Sequence, residues 1–407
     1  MNDFESARDE FKALKNMVYL NWAGLGPLPS SAKIAVEELL KNIYEWDNQY
    51  VSEAISSLQD GAKGQIAKLL NTSPDQIAIT GTNTTQGIQT AFEAIRPKSG
   101  ESIVTSDMQY VLTEAELQKW RDRGVDIKVV KNRDGVYDLN DFQRAVDKTT
   151  RAVFVDSVTW INGYKFDVPE LSKIAHENNA FMITDSIQHL GQAKMDVEKS
   201  GADLVAGSAQ KWLSDWLGLG FLYVRRKVIE ELERPYYGYK NTEEPDGGWH
   251  TYFTLTDREQ FPEFKFYSSD ARKFEYGGSL YNMPGLTALE KTLKLINGIG
   301  MDRVQRRVLE LKHELLEGLE ALDFEVLEPY EEKHQSGITT FRMGVGRKKE
   351  MEVVEKLNST GYAISYRAGG GLYGIRVSTH YVNNSDDIQS LLGALKSLRA
   401  KAGVKRN

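Results

Sequence analysis

Short apolar runs alternate with amphipathic stretches along much of the chain. Ile103-Val-Thr, Val153-Phe-Val, Phe181-Met-Ile-Thr, Leu204-Val-Ala and Phe221-Leu-Tyr-Val are each apolar or β-branched and bounded by glycine or charge, which predicts buried strands. The run from Gln76 to Ile79 adds another. From Thr84 to Ile95 the residues Ile88, Ala91, Phe92 and Ile95 fall at i, i+3, i+4 and i+7, the spacing of one helix face. From Pro169 to Asn178, Leu171, Ile174 and Ala175 share a face, and Pro169 suits a helix start. Strands alternating with helices predict an α/β fold with a mostly parallel sheet. The ligand crevice of such a sheet lies beyond the carboxyl ends of its strands.

The pattern changes further on. Glu230 to Ser268 holds Pro235, Pro245, Pro262, the Gly247-Gly248 pair and many aromatics, which predicts irregular chain over the crevice. A helical pattern runs from Gly285 to Leu322, broken by Gly298 and Gly300. Beyond Phe324, strand patterns (Ile338-Thr-Thr-Phe and Gly374-Ile-Arg-Val-Ser) mix with helical ones (Lys348 to Leu357 and Ser385 to Leu398). The expected division is a large α/β domain over 19–284 and a smaller α+β domain over 285–407 that takes in the segment 1–18.

Composition narrows the class. With 407 residues, at about 150 per domain, two or three domains are expected. Hydrophobic residues at 41% and charged residues at 27% are ordinary for a globular protein, so disorder, collagen and coiled coil fail as descriptions of the whole. Acidic residues outnumber basic ones, 58 to 51, and the net charge of −7 argues against nucleic acid as a partner. The basic run from Lys401 to Arg406 reads as a frayed end. The chain has no cysteine, which excludes disulfides, thiolate nucleophiles and persulfide carriers within it. The six histidines show no metal spacing, so no metal site is expected. The charged start and the lack of a run near ~20 apolar residues lead us to expect a cytosolic protein, with no membrane partner.

Three places carry candidate chemistry. Asp185 ends one apolar strand, and Lys211 follows the next, in Asp203-Leu-Val-Ala-Gly-Ser-Ala-Gln-Lys211. Adjacent strand ends thereby offer a carboxylate and an amine to one crevice. A desolvated amine forms a Schiff base, and a carboxylate facing a pyridinium nitrogen keeps that ring electron-poor. Read singly, Asp185 is better taken as a helix cap and Lys211 as a solvated lysine. Thr80-Gly-Thr-Asn-Thr-Thr-Gln-Gly87 follows a strand and opens a helix, which makes an anion site or an ordinary N-cap. Arg376, on a C-terminal strand, has the geometry to hold a carboxylate in two parallel hydrogen bonds, or lies on an edge. Gly24-Leu-Gly26 does not match a dinucleotide fingerprint, because Pro27 and Pro29 interrupt it.

In order along nearly the whole chain, Tyr19-Leu-Asn-Trp-Ala-Gly, Asn83-Thr-Thr-Gln-Gly-Ile, Asp185-Ser-Ile-Gln188, Ser208-Ala-Gln-Lys211, Phe274-Glu-Tyr-Gly-Gly-Ser279 and Arg376-Val-Ser378 resemble the class V aminotransferase family. These are fold-type I pyridoxal-phosphate enzymes, and include cysteine desulfurases, kynureninase and isopenicillin N epimerase. The resemblance implies a mostly parallel seven-stranded sheet between helices, a smaller C-terminal α+β domain, and a homodimer with its site at the subunit interface. It implies that Lys211 holds pyridoxal 5′-phosphate through a Schiff base and then shuttles the Cα proton. It pairs Asp185 with the pyridine nitrogen and Gln188 with the ring hydroxyl. Thr84, Thr85, Ser208 and Gln210 would cradle the phosphate, and Gly278 or Ser279 would reach a phosphate in the partner subunit. Arg376, with Asn21, would bind the substrate carboxylate. Where the desulfurase branch has paired histidines, Tyr110 is the natural ring to stack on the cofactor, with Val111 one place on. Position 210 is usually histidine in that branch, and Trp160 stands where it usually has asparagine.

The expected activity is labilisation of a bond at Cα of an amino acid. Aminotransfer ranks first, on the breadth of the family. A lyase cutting a carbon–sulfur bond, or another β-elimination, and an epimerase are the alternatives. A persulfide-forming desulfurase is excluded by the missing cysteine. An inactive binding module and a nicotinamide-dependent dehydrogenase rank below these.

Overall fold

Seven strands build the central sheet of the computed structural model, which describes residues 3–254, 263–276, 282–328 and 331–401. They are β1 (Ile77–Gly81), β2 (Ser102–Ser106), β3 (Asp126–Val130), β4 (Thr150–Asp156), β5 (Phe181–Asp185), β6 (Leu204–Ser208) and β7 (Gly220–Val224). Their order across the sheet is β1-β7-β6-β5-β4-β2-β3. Only the two pairings made by β7 are antiparallel. Every residue of β2, β5, β6 and β7 is buried, which explains their unbroken apolar runs: helices cover both faces of such a sheet. Of the seven, β3 is the one the hydrophobic pattern does not announce. It is an edge strand, and Asp126 and Val129 are exposed.

The longer helices of this part of the chain are α1 (Ser30–Glu45), α2 (Asn48–Leu70), α3 (Thr84–Ile95), α4 (Val111–Asp122) and α5 (Val168–Glu177), with short ones at Leu139–Ala145 and Val197–Ser200. Helix α3 has the bounds the periodicity predicts. Its Asn83 cap accepts a hydrogen bond from the Gln86 N–H at 3.0 Å. Gly87 lets α3 lie close on the sheet, since a Cβ there would stand 3.2 Å from Ala206 Cβ. Pro169 lies in the first turn of α5, and Asp167 caps it.

The expected long helix is two helices, α6 (Met283–Ile299) and α7 (Met301–Ala321). The break is at Gly300, whose φ of +89° suits glycine, whereas Gly298 continues α6. Leu286, Leu289, Leu293 and Ile296 of α6 are buried against α1 and α2, in the core that also holds Ile79 and Val205 of the central sheet. At about 1.5–3 kcal/mol each, such side chains hold these layers together.

The C-terminal part forms a four-stranded antiparallel sheet from β8 (Glu325–Val326), β9 (Ile338–Arg342), β10 (Ser365–Gly369) and β11 (Leu372–Ser378), in the order β10-β11-β9-β8. Helices α8 (Arg347–Asn358) and α9 (Ser385–Lys401) accompany it. Leu311, Leu315 and Leu319 of α7 pack with Phe341, Ile375, Val377 and Leu391. The N-terminal segment joins this part: Val18–Tyr19 pairs in parallel with 362–363, and Trp22 stacks on His380 at 3.9 Å. Glu230 to Ser268 is irregular as expected, with single helical turns at Tyr239–Asn241 and His250–Phe253 among its described residues. No helix among the described residues is long and apolar enough to cross a membrane.

Candidate active site

Beyond the carboxyl ends of β4, β5 and β6 lies a recess of about 230 Å³. Asp156 and Asp185, the last residues of β4 and β5, line it. So do Gln188, Gln210 and Lys211 from the loops that follow β5 and β6, and Asn83, Thr84 and Thr85 at the start of α3. Tyr110, Trp160, Leu112, Val158 and Ile187 complete the wall. The topology explains the convergence: neighbouring parallel strands deliver their C-terminal residues to the same end of the sheet.

The expected amine and carboxylate therefore share one cavity. Asp185 is buried, and its Oδ1 accepts the Ile187 N–H at 2.9 Å. Its Oδ2 is hydrogen-bonded to no described residue. Burial pushes its carboxyl up, against the Ile187 N–H and the Lys211 charge. Lys211 is pushed down to about 8, mainly by burial, with Asp185 opposing and Arg376 assisting the fall. Its Nζ stands 5.7 Å from the centroid of the Tyr110 ring. Trp160 meets that ring edge-on at 5.7 Å and donates from Nε1 to the Gln109 carbonyl at 3.2 Å. Tyr110 thus stands beside the half-buried Lys211, with Trp160 packed against its ring.

At the α3 end, Thr84 Oγ1 donates to Ser208 Oγ at 2.9 Å, and Ser208 Oγ donates to Gln210 Oε1 at 2.5 Å. Thr85 is half-buried beside them. The first-turn N–H groups and the positive end of the helix dipole favour negative charge at this corner. Gly220 is required here, because a Cβ would collide with the carbonyl oxygen of Asn83.

Other expected residues are placed differently. Gln188 does line the recess: one amide hydrogen goes to the Ala23 carbonyl at 3.0 Å and Oε1 accepts from Trp212 Nε1 at 2.9 Å, which leaves its second amide hydrogen uncommitted. Arg376 is buried behind Trp160, donating from Nη1 to the Trp160 carbonyl at 2.6 Å and from Nε to Ser365 Oγ at 3.2 Å. No carboxylate of the described residues pairs with it. Burial and Arg367 push it down to about 9, so it stays charged at neutral pH. Asn21 bridges Ser378 of β11, and its buried Oδ1 has no hydrogen bond. Gly278 and Ser279 lie outside the described residues. Asp156 is a site residue the sequence reading passed over, although an acidic residue closing an apolar strand is the signature that marked Asp185. Among the described residues, no cluster of histidine and acidic side chains can hold a metal ion.

This architecture is that of the fold-type I pyridoxal-phosphate transferases, an α/β fold with a mostly parallel central sheet. A family model described as aminotransferase class-V matches residues 28–391, and the chain belongs to that family. A probable cysteine desulfurase of Methanothermobacter thermautotrophicus is 29% identical, over 97% of this chain and 98% of its own. The cystine C–S lyase C-DES, solved with its product cysteine persulfide, superposes with a TM-score of 0.82 at 20% identity, over 95% of this chain and 99% of its own. A C-DES variant with glycine covalently linked to its PLP cofactor gives 0.83 at 20% identity, over 96% and 98%.

Proposed function

We propose that this chain is a pyridoxal-phosphate enzyme that acts at Cα of an amino acid through Lys211. The observation that carries the reading is the shared recess, where a half-buried amine, a buried carboxylate and a helix N-terminus meet. These fit the aldehyde, the pyridine nitrogen and the phosphate of that cofactor. Gly220 fits too, since the side-chain-free position keeps the anion corner tight against Asn83.

When bound, pyridoxal phosphate supplies an electron sink for the bond at Cα. The remaining work falls to the chain. Lys211 holds the cofactor by its amine, and its lowered pKa lets Nζ take up and return a proton near neutral pH. Asp185, oriented by the Ile187 N–H, keeps a negative charge for the ring nitrogen. Thr84, Thr85, Ser208 and Gln210 receive the phosphate. Tyr110, backed by Trp160, gives the cofactor ring an aromatic face to pack on. Arg376 anchors the substrate carboxylate with the guanidinium N–H groups that Ser365 and Trp160 leave free, and Asn21 assists.

Aminotransfer is the reading placed first, on the breadth of the family; Lys211 is compatible with the proton shuttle it needs. The C-DES likeness favours carbon–sulfur lysis as the second. None of the 407 residues is a cysteine, so no thiol of this chain takes up sulfur as a persulfide. Incubation with amino acids and a keto acid separates the two readings. Accumulating pyridoxamine phosphate supports aminotransfer; pyruvate, ammonia and a thiol support lysis. A protein that takes up no pyridoxal phosphate overturns both.

The active form in this reading is a homodimer with the recess at its interface. Leu112 in the recess wall, and Leu25, Trp216 and Leu217 of loops adjoining Gln210 and Lys211, leave exposed apolar surface for a second copy to cover. Light scattering tests it. The units in this reading remain 19–284 and 285–407 with 1–18.

A further inference from the structure

Two carboxyl groups stand side by side in the recess, and one amine faces them. Asp156 and Asp185 are register partners at the ends of adjacent parallel strands. Both are buried and both line the recess with Lys211. Like charges on neighbouring strands in a dry site do not both ionise readily, and one proton is retained by the pair.

Their hydrogen bonds decide which group keeps it. Asp185 has the Ile187 N–H on Oδ1 and is the carboxylate that acts most strongly on the Lys211 amine. Asp156 has the Tyr110 N–H on Oδ2, at 3.0 Å, while its Oδ1 is buried without any partner. A bare anionic oxygen in that position is costly; a protonated one is a donor awaiting an acceptor. The charged and titratable groups facing Asp156 are Asp185 from β5, Lys211 from the loop after β6, and nothing acidic from the Tyr110 side beyond its N–H. Arg376 and Arg367, from the C-terminal sheet, act on Lys211 and leave the amine less able to serve two anions.

We propose that Asp156 stands in the recess as a neutral carboxylic acid, protonated on Oδ1, and donates that hydrogen bond to the ring oxygen of the bound cofactor while Asp185 remains the anion. Gln188, the residue expected in that role, has its Oε1 on Trp212 and one amide hydrogen on Ala23, so at most one further donor comes from it and the ring oxygen has room for a second donor in Asp156. Burial and the Asp185 charge both push Asp156 well above the usual carboxylate range, which agrees with the geometry. The protonation stands on the empty protein; the hydrogen bond to the cofactor rests on the proposed function.

Asparagine mimics a neutral acid and not an anion, so the test is a pair of swaps. Infrared difference spectra of the cofactor-free protein at neutral pH should show one protonated-carboxyl band lost in Asp156→Asn. Titrating pyridoxal phosphate against tryptophan fluorescence should give Asp156→Asn an affinity within about threefold of the parent, with Asp156→Ala and Asp185→Asn each weaker by about tenfold or more. An analogue without the ring hydroxyl should bind the parent and Asp156→Ala alike. The proposal is overturned if Asp156→Asn binds as poorly as Asp156→Ala, if Asp185→Asn is the tolerated swap, or if the band survives in Asp156→Asn. Should the parent bind no pyridoxal phosphate at all, the functional reading falls and the infrared band alone judges the protonation.

Discussion

The N–H of Gly26 donates to the carbonyl of Gln210 at 2.7 Å, fastening the N-terminal loop to the residue that precedes Lys211. The contact is tight: a Cβ on Gly26 would collide with the Lys211 carbonyl and stand 2.9 Å from Ser214 Oγ. Gly26→Ala is therefore expected to displace the Lys211 peptide. The cost is about 1–3 kcal/mol by urea denaturation, as for other overpacked interiors, together with weaker pyridoxal-phosphate binding. Unchanged stability and binding would show that this loop does not set the lysine's position.

Lys211→Ala should abolish the covalent attachment. Borohydride reduction of the loaded parent, followed by proteolysis and mass spectrometry, is expected to place the adduct on the peptide carrying Lys211. The variant should show no adduct at any lysine and at least a ~100-fold loss of turnover.

The amine also sets a pH dependence. Its folded value of about 8 lies below the 10.5 of a solvated lysine, because burial disfavours the ammonium. Only the free amine attacks an aldehyde, so cofactor uptake by the empty protein should accelerate as pH rises through about 8. Between about 8 and 10.5 the unfolded chain holds a proton that the folded one has lost, so this group makes stability increase with pH across that window. Stopped-flow uptake and denaturation at several pH values measure the two effects; an uptake rate independent of pH from 7 to 9 contradicts the first.

Arg376→Lys should separate substrate from cofactor. A lysine keeps one charge but cannot reproduce a planar fork that also holds the Trp160 carbonyl and Ser365. KM for the amino acid is expected to rise about tenfold or more, with pyridoxal-phosphate affinity unaltered. An equal loss of both would mean that Arg376 supports the wall rather than the substrate.

Much of this site was legible because its carriers sit where periodicity is strongest. Asp185 closes a buried strand, Lys211 follows another, and α3 begins at Thr84 after a capping Asn83, so position along the chain translated directly into position in the recess. Edge strand β3 escaped notice because an edge leaves Asp126 and Val129 exposed and its apolar run short. Helices α1 and α2 were missed as well: their buried faces mix alanines such as Ala32, Ala35 and Ala62 with a few larger residues such as Leu39 and Ile66, and Gly61 and Gly64 interrupt α2. Asp156 carried the same mark as Asp185, but its neighbour across the strands lies twenty-nine places on, and only pairing reveals that two carboxyls meet. The engagement of Gln188 by Trp212 and Ala23 likewise depends on loops whose course no local pattern records.

The hairpin of β10 and β11 turns at Gly370 and Gly371, both at positive φ, and Asn132 Nδ2 ties its tip by donating to the Gly370 carbonyl at 2.8 Å. The same hairpin carries Arg376, which grips the backbone of Trp160. A swing of the C-terminal sheet away from the crevice would therefore strain the Asn132–Gly370 and Arg376–Trp160 bonds together. An alteration at the glycine tip would thus be felt at Trp160 as well as at Arg376.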